Sequence, residues 1–379
     1  MFSTKPILIQ KFGEGDKIHE FKAPARINII GEHVDYLGGY VLPAAISFEV
    51  RISIRKNNLN SYRIYSVQYD KIFSGSELIK QEKDFFWVNY ILGIIDQFHK
   101  EGHIISGFDM VLDGNIPQGA GLSSSAAVEV NTAYAISKIF NIDISREKLA
   151  LMGQAAENQF VGTNCGIMDQ FIIANAKKDT CILLNTATLE KEYHKIDLKN
   201  FEFYLINSNV KHSLHDSDYN NRRKECESAL AKAKKILPNL QNLYELEKIE
   251  NSFMFDKNEI KRVQHVISEK NRTNRILSLF KSGSISEAAQ ILFEAHESLS
   301  KMFEVSCEEI DYLIQELKKQ NVAGARMIGG GFGGCILVLD SIGKKEKITE
   351  ELKEKYFAKF NLKAEIYSFQ ITEGVTELI

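Results

Sequence analysis

The sequence predicts an α+β protein organised as two domains, and three observations carry that expectation. Its 379 residues suggest two domains or one large one, with ample chain for a sizeable core. The first third alternates apolar and polar residues with the period of two of half-buried strands, and longer helical patterns take over after about residue 200. The stretch 307–370 then alternates helix and strand around a glycine cluster. The boundary falls near residue 198, giving domains 1–197 and 198–379.

The elements follow in chain order. Glu49-Val50-Arg51-Ile52-Ser53-Ile54 and Tyr62-Arg63-Ile64-Tyr65 read as strands. Trp87 to His99 reads as a helix, and Phe108 to Leu112 as a strand running into a glycine- and serine-rich loop. A helix rich in alanine, Leu122 to Phe140, leaves that loop. Arg146 to Phe160 is a further helix, with Leu149, Met152, Ala156 and Phe160 at helical spacing. In the second half, Phe203 to Ile206 is a short strand before a charged helix from about Asp216 to Ile236. Then come a helix (Cys307 to Lys319), a strand (Ala325 to Ile328), the glycine cluster, a strand (Cys335 to Leu339), a helix (Lys347 to Phe357) and a strand (Ala364 to Gln370).

Composition excludes several classes. Apolar residues make up 44% and charged residues 26%, as in ordinary globular proteins. A formal net charge of −3 provides no basic field for nucleic acid, and Arg222-Arg223-Lys224 alternates with acids on a solvated helix face. No signal peptide and no transmembrane run are seen. The five cysteines lack zinc or C-x-x-C spacing and read as reduced thiols, which places the chain in the cytoplasm.

Four segments concentrate chemistry. Pro117-Gln118-Gly119-Ala120-Gly121-Leu122-Ser123-Ser124-Ser125-Ala126-Ala127 follows a strand and opens a helix. Its glycines would let backbone approach a ligand, and a helix N-terminus favours phosphate. A serine-capped helix after a turn is the plainer alternative. Gly329-Gly330-Gly331-Phe332-Gly333-Gly334 contains G-x-G-x-x-G, but a strand rather than a helix follows it. That rules out the dinucleotide motif and leaves a loop packed close to a ligand or to backbone, or a tight hairpin. Glu32, His33 and Asp35, clustered after an apolar stretch, suit either several hydroxyls of a sugar or a polar turn. Asp169 begins an apolar helix and is either a base facing a substrate hydroxyl or a helix-terminal acid. Glu157, one helix upstream, is either solvated or a Mg2+ ligand.

Taken in order, these segments resemble the GHMP family of small-molecule kinases, and within it the galactokinase family. Arg26-Ile27-Asn28-Ile29-Ile30-Gly31-Glu32-His33-Val34-Asp35-Tyr36, continued by Gly38-Gly39-Tyr40-Val41-Leu42-Pro43, is similar to the galactokinase signature. The loop 117–127 is similar to the family's phosphate-binding motif, and Cys165-Gly166-Ile167-Met168-Asp169-Gln170 to its catalytic-acid segment. Val210-Lys211-His212, with Ser217, Tyr219, Asn220 and Arg222-Arg223, resembles the start of the second domain. Met327 to Cys335 resembles the third family motif.

The resemblance implies a ribosomal-protein-S5-like N-terminal domain and a ferredoxin-like C-terminal domain with the site between them. It implies ATP and D-galactose as substrates, Mg2+ as metal, and neither nucleic acid nor membrane as partner, for a monomer. Asp169 would be the base and Arg26 would orient it. Glu32, His33, Val34, Asp35, Gly166, Asp169 and Tyr219 would bind the sugar. Gly119, Ala120, Gly121, Leu122, Ser123, Ser124 and Ser125 would hold the phosphates. Ser66 and Trp87 would contact the nucleotide, and Ser125 with Glu157 would hold Mg2+.

Five positions in three places depart from the family pattern: Ala25 for glycine, Leu37 for asparagine, and Asn185-Thr186-Ala187 for Asp-Cys-Arg. A sugar 1-kinase for N-acetylgalactosamine or L-arabinose is the neighbouring alternative. The full-length Ser123 to Ala127 run argues against a non-catalytic galactose sensor.

Overall fold

Alternation along the strands decides how the first sheet is covered. Met110 and Leu112 face one way and pack with Ile64, Ile91 and Ile136, whereas Val111 between them faces the other way, against Leu8 and Tyr65. The computed structural model describes residues 3–210 and 215–378, and the side chains of 215–217 are also outside that description. Lys211, His212 and the Ser217 side chain therefore lie outside the described residues.

The strands are β1 (His19–Asn28), β2 (Tyr40–Val41), β3 (Pro43–Lys56), β4 (Tyr62–Ser66), β5 (Lys71–Gly75), β6 (Phe108–Gly114), β7 (Thr180–Asn185), β8 (Lys191–Lys195), β9 (Phe201–Asn207), β10 (Gly324–Met327), β11 (Cys335–Ser341), β12 (Glu365–Ser368) and β13 (Thr376–Leu378). They form sheets of order β13-β1-β3-β6-β4-β5, β10-β11-β9-β12 and β2-β7-β8. The helices are α1 (Lys5–Phe12), α2 (Asn89–Lys100), α3 (Ser124–Ile139), α4 (Arg146–Ala155), α5 (Met168–Asn175), α6 (His215–Lys234), α7 (Lys257–Ser282), α8 (Ile285–Ser298), α9 (Glu308–Lys319) and α10 (Lys345–Phe360).

The molecule is α+β, as expected. Its four-stranded sheet is antiparallel throughout, and β9, β10, β11 and β12 with their intervening helices run in β-α-β-β-α-β order, the ferredoxin-like arrangement. Each strand and helix expected above occurs, with ends shifted by a few residues. Division at residue 198 separates the sheets except at β13, which pairs with β1 in the first sheet.

Two features had no clear sequence signal. β1 carries Pro24 in its interior, which reads against a strand, and a register shift between Pro24 and Ala25 accommodates it. The helix expected over Arg146 to Phe160 is α-helical only to Ala155 and continues as a wider π-helical turn, Ala156–Val161. A second such turn, Leu299–Phe303, follows α8. Among the described residues no helix is long and apolar enough to cross a membrane, and all five cysteines are free thiols.

Candidate active site

Arg26 lies near the end of β1 and Asp169 in the first turn of α5, and the packing of these elements brings the two side chains together. Arg26 Nε donates to Asp169 Oδ1 and Nη2 to Oδ2, each at 2.7 Å, a two-pronged pair. Arg26 Nη1 donates to the Gly121 carbonyl at 2.7 Å, which ties the pair to the glycine-rich loop. The Ser123 hydroxyl also donates to Asp169 Oδ2. Arg26 is buried, whereas 28% of the Asp169 side chain is exposed, so the carboxylate is the partner that faces open space.

That space is a cavity of about 520 Å³ lined by Arg26, Glu32, His33, Asp35, Gly166, Asp169 and Tyr219, closed on one side by Gly119 and Gly121 and on another by the glycine cluster after Ile328. A second cavity, also about 520 Å³, has Ser66, Tyr69, Trp87, Gly119, Ser124 and Ser125 in its wall. Gly119 borders both. The loop is therefore a partition between two chambers, with Gly119, Gly121 and Ser123 all in the left-handed backbone region.

The sugar-signature residues differ in how free they are. A carboxylate has roughly four acceptor sites. Glu32 already accepts from Asn28 Nδ2 (2.6 Å), Arg326 Nη2 (2.9 Å) and the Gly329 amide (2.5 Å). His33 Nδ1 meets the Tyr36 hydroxyl at 3.0 Å, and its buried Nε2 has no partner among the described residues. Burial, helped by His265, lowers the His33 pKa to about 3, so the imidazole is neutral. Burial, then Asp169 and Glu32, pushes the Asp35 carboxyl up to about 7. A β-carbon on Gly166 would stand 1.7 Å from Asp35 Oδ2, so only glycine leaves that carboxylate its place.

Three expected contact residues are placed in the core rather than at a cavity wall. Val34, Ala120 and Leu122 are all buried, their apolar side chains packed inward, and neither cavity is lined by them. What they can offer a ligand is backbone. Ser123 turns its hydroxyl to Asp169, leaving Ser124 and Ser125 to face the second chamber.

Glu157 sits on the π-helical turn and is buried. Burial and the nearby Asp169 push its carboxyl up to about 7, and the Ser125 hydroxyl lies close enough to counter that. Gln170 Nε2 bridges Glu157 Oε2 (2.9 Å) and Glu129 Oε2 (3.0 Å). Glu129 Oε1 is buried without a partner among the described residues, and burial beside Glu157 pushes Glu129 well above the carboxylate range. Uncompensated acids beside a hydroxyl fit a divalent cation. No group of three or more His, Cys, Asp or Glu side chains arranged to hold a metal ion occurs among the described residues, so a cation here would keep much of its water, as Mg2+ does.

Sequence reading missed Glu129, Gln170, Tyr69 and Tyr36. Tyr69 stacks near Trp87, with ring centroids 5.9 Å apart and planes 14° apart. It also missed His265, Glu269 and Arg326 of the second half, which reach the signature loop. A signal existed for two of these: His265, Glu269 and Arg272 recur at i, i+4 and i+7 on one face of α7, where a buried helix stripe would ordinarily be apolar.

The comparisons with known proteins agree with this geometry. Residues 9–56 match the galactokinase galactose-binding signature, 89–177 the GHMP kinases N terminal domain and 276–358 the GHMP kinases C terminal domain. A galactokinase of Thermosipho africanus is 40% identical over 358 residues, covering 94% of this chain and 99% of that protein. The chain belongs to the galactokinase family of GHMP kinases. A galactokinase of Thermotoga petrophila is 41% identical with the same coverage. The galactokinase fold is matched over nearly its whole length by the crystal structure of a Lactococcus lactis galactokinase complexed with galactose, with a TM-score of 0.94, 32% identity and 98% of each chain covered. ATP-dependent phosphoryl transfer to a small molecule is the activity this family membership indicates.

Proposed function

We propose that the chain transfers the γ-phosphoryl group of ATP to the anomeric hydroxyl of D-galactose, giving α-D-galactose 1-phosphate and ADP. The observation that carries this reading is the Arg26–Asp169 pair at the partition between an acid-lined chamber and an aromatic one. A polyhydroxy sugar suits Glu32, His33, Asp35 and Tyr219, and a nucleotide suits Trp87, Tyr69 and the Ser124–Ser125 helix start. The likeness to galactokinases, one of them solved with galactose, supports the choice of sugar.

Phosphoryl transfer asks the protein for alignment and for positive charge near the transferred group. Asp169 Oδ2 already accepts from Arg26 and Ser123, whereas Oδ1 accepts, among the described residues, only from Arg26 Nε. Oδ1 is thus the oxygen with room to take the hydroxyl proton as the sugar oxygen attacks the γ-phosphorus and the bond to the β-phosphate breaks. Arg26 holds Asp169 in place and lends charge to the transferring group. Gly119, Gly121, Ser124 and Ser125 present backbone and hydroxyl donors to the phosphates. Ser125 and Glu157 would hold Mg2+, which would supply positive charge to offset that of the phosphates. A coupled ADP-release assay over a panel of sugars tests the reading. Turnover should be highest with D-galactose; turnover with another sugar and none with galactose would overturn it.

A further inference from the structure

The signature loop that presents Glu32 and His33 to the sugar belongs to the first half of the chain, yet its conformation is held from the second. Gly31 has φ 94° and His33 φ 59°, two left-handed residues within three positions, the second carrying a bulky side chain. Such a backbone is strained at His33 and persists only where its surroundings determine it. A β-carbon at Gly31 would stand 2.6 Å from the Tyr40 carbonyl, so the turn takes no side chain at that position.

Three buried side chains supply the determination. Glu269 Oε1, on α7, accepts from the Gly31 amide (2.8 Å) and the Glu32 amide (3.1 Å), so one oxygen gathers two successive N–H groups. Burial opposes its charge, but Arg272, His265 and Arg326 hold the Glu269 carboxyl at about 2. His265 Nε2, one helical turn away, meets the Glu32 carbonyl at 3.1 Å. Arg326, on β10 and fully buried, donates to the Asn28 carbonyl, to the Ile29 carbonyl (2.9 Å) and to Glu32 Oε2 (2.9 Å). It therefore grips both the backbone before the turn and the carboxylate that reaches the cavity.

We infer that Arg326 and Glu269 are positioning residues for sugar recognition: they set the Glu32–His33 turn from the second half of the chain, and sugar affinity depends on them while nucleotide affinity does not. The inference rests on the sugar-kinase reading above. The second chamber supports the asymmetry, because every described residue in its wall lies between Val50 and Val128 and none of the described residues of the second half borders it.

The test uses the full chain, with Arg326→Lys and Glu269→Gln measured beside the wild type for KM of D-galactose, KM of ATP, kcat and melting temperature. Lysine keeps the charge but cannot span two carbonyls and a carboxylate at once, and glutamine loses the charge but keeps the shape. Expected is a rise of about 10-fold or more in the sugar KM, with the ATP KM within about twofold of wild type. Two results would overturn the inference: a sugar KM unchanged in folded variants, or sugar and ATP constants rising together, which would mark a merely structural role. Absence of wild-type turnover on any sugar would instead remove the function reading beneath it and the inference with it.

Discussion

The two chambers on either side of Gly119 are similar in size but differ in how they are made. The chamber proposed for the nucleotide draws every described residue of its wall from 50–128, around the first sheet and the start of α3. The chamber proposed for the sugar gathers residues from 26–36, 119–121, 163–169 and 328–334, together with Val210 and Tyr219. The first is a local product of one domain; the second exists only when both halves are packed. Damage in the second half should therefore be felt by the sugar and hardly by ATP, and the chamber that names the acceptor is the one more exposed to long-range disturbance.

Replacing the group at the partition should have the largest effect, since both chambers converge on it. Asp169→Asn should lower kcat by about 10³-fold in a protein that still folds, measured by ADP release and circular dichroism. A rate near wild type would break the assignment of the partition as the reacting centre. Next, Gly166→Ala forces a β-carbon onto Asp35 and should raise the sugar KM by ~10-fold or more, with the ATP KM nearly unchanged. Equal rises in both constants would show that the chambers are not separable. The converse change, Trp87→Ala, removes the ring stacked near Tyr69 and should raise the ATP KM by up to about 10-fold while sparing the sugar KM.

The smallest effect concerns pH. Asp35 titrates at about 7 in the folded chain because of burial and its acidic neighbours, against about 3.9 for an unfolded aspartate. Between those values the folded state binds the extra proton, so this group's contribution to stability falls as pH rises from about 4 to about 7. Asp35→Asn should flatten that part of the melting profile by about a few degrees. An unaltered slope would mean that the sugar-side acids do not carry the strain assigned to them. Sugar affinity should also weaken below about pH 7 in the wild type, as the carboxylate loses its charge.

The same contrast governed what could be read from the sequence. Arg26, Glu32, His33, Asp35, Gly166 and Asp169 stand in short polar or glycine-bearing runs inside apolar surroundings, and the fold brings all six to one cavity. The loop at 117–127 announced itself by its glycines and serines. Ser66 and Trp87 rested on resemblance alone, because a serine and a tryptophan have many ordinary uses, and Tyr69 had no signal at all. Val34, Ala120 and Leu122 also rested on the resemblance, and their side chains are core. The grip of Arg326 on residues 28, 29 and 32 could not be seen, since a contact across nearly 300 positions leaves no local pattern. The strand β1 was obscured by Pro24, and β13 by being only three residues long.

That last short strand also bears on the order of synthesis. Glu20, Phe21 and Lys22 pair with Leu378, Glu377 and Thr376, residues that leave the ribosome about 350 positions later. At roughly 5–20 residues per second, the outer rim of the first sheet waits for something like half a minute, its unpaired amides and carbonyls open to any neighbouring chain. The sheet that carries Arg26 is thus begun about 350 residues of synthesis before it is finished.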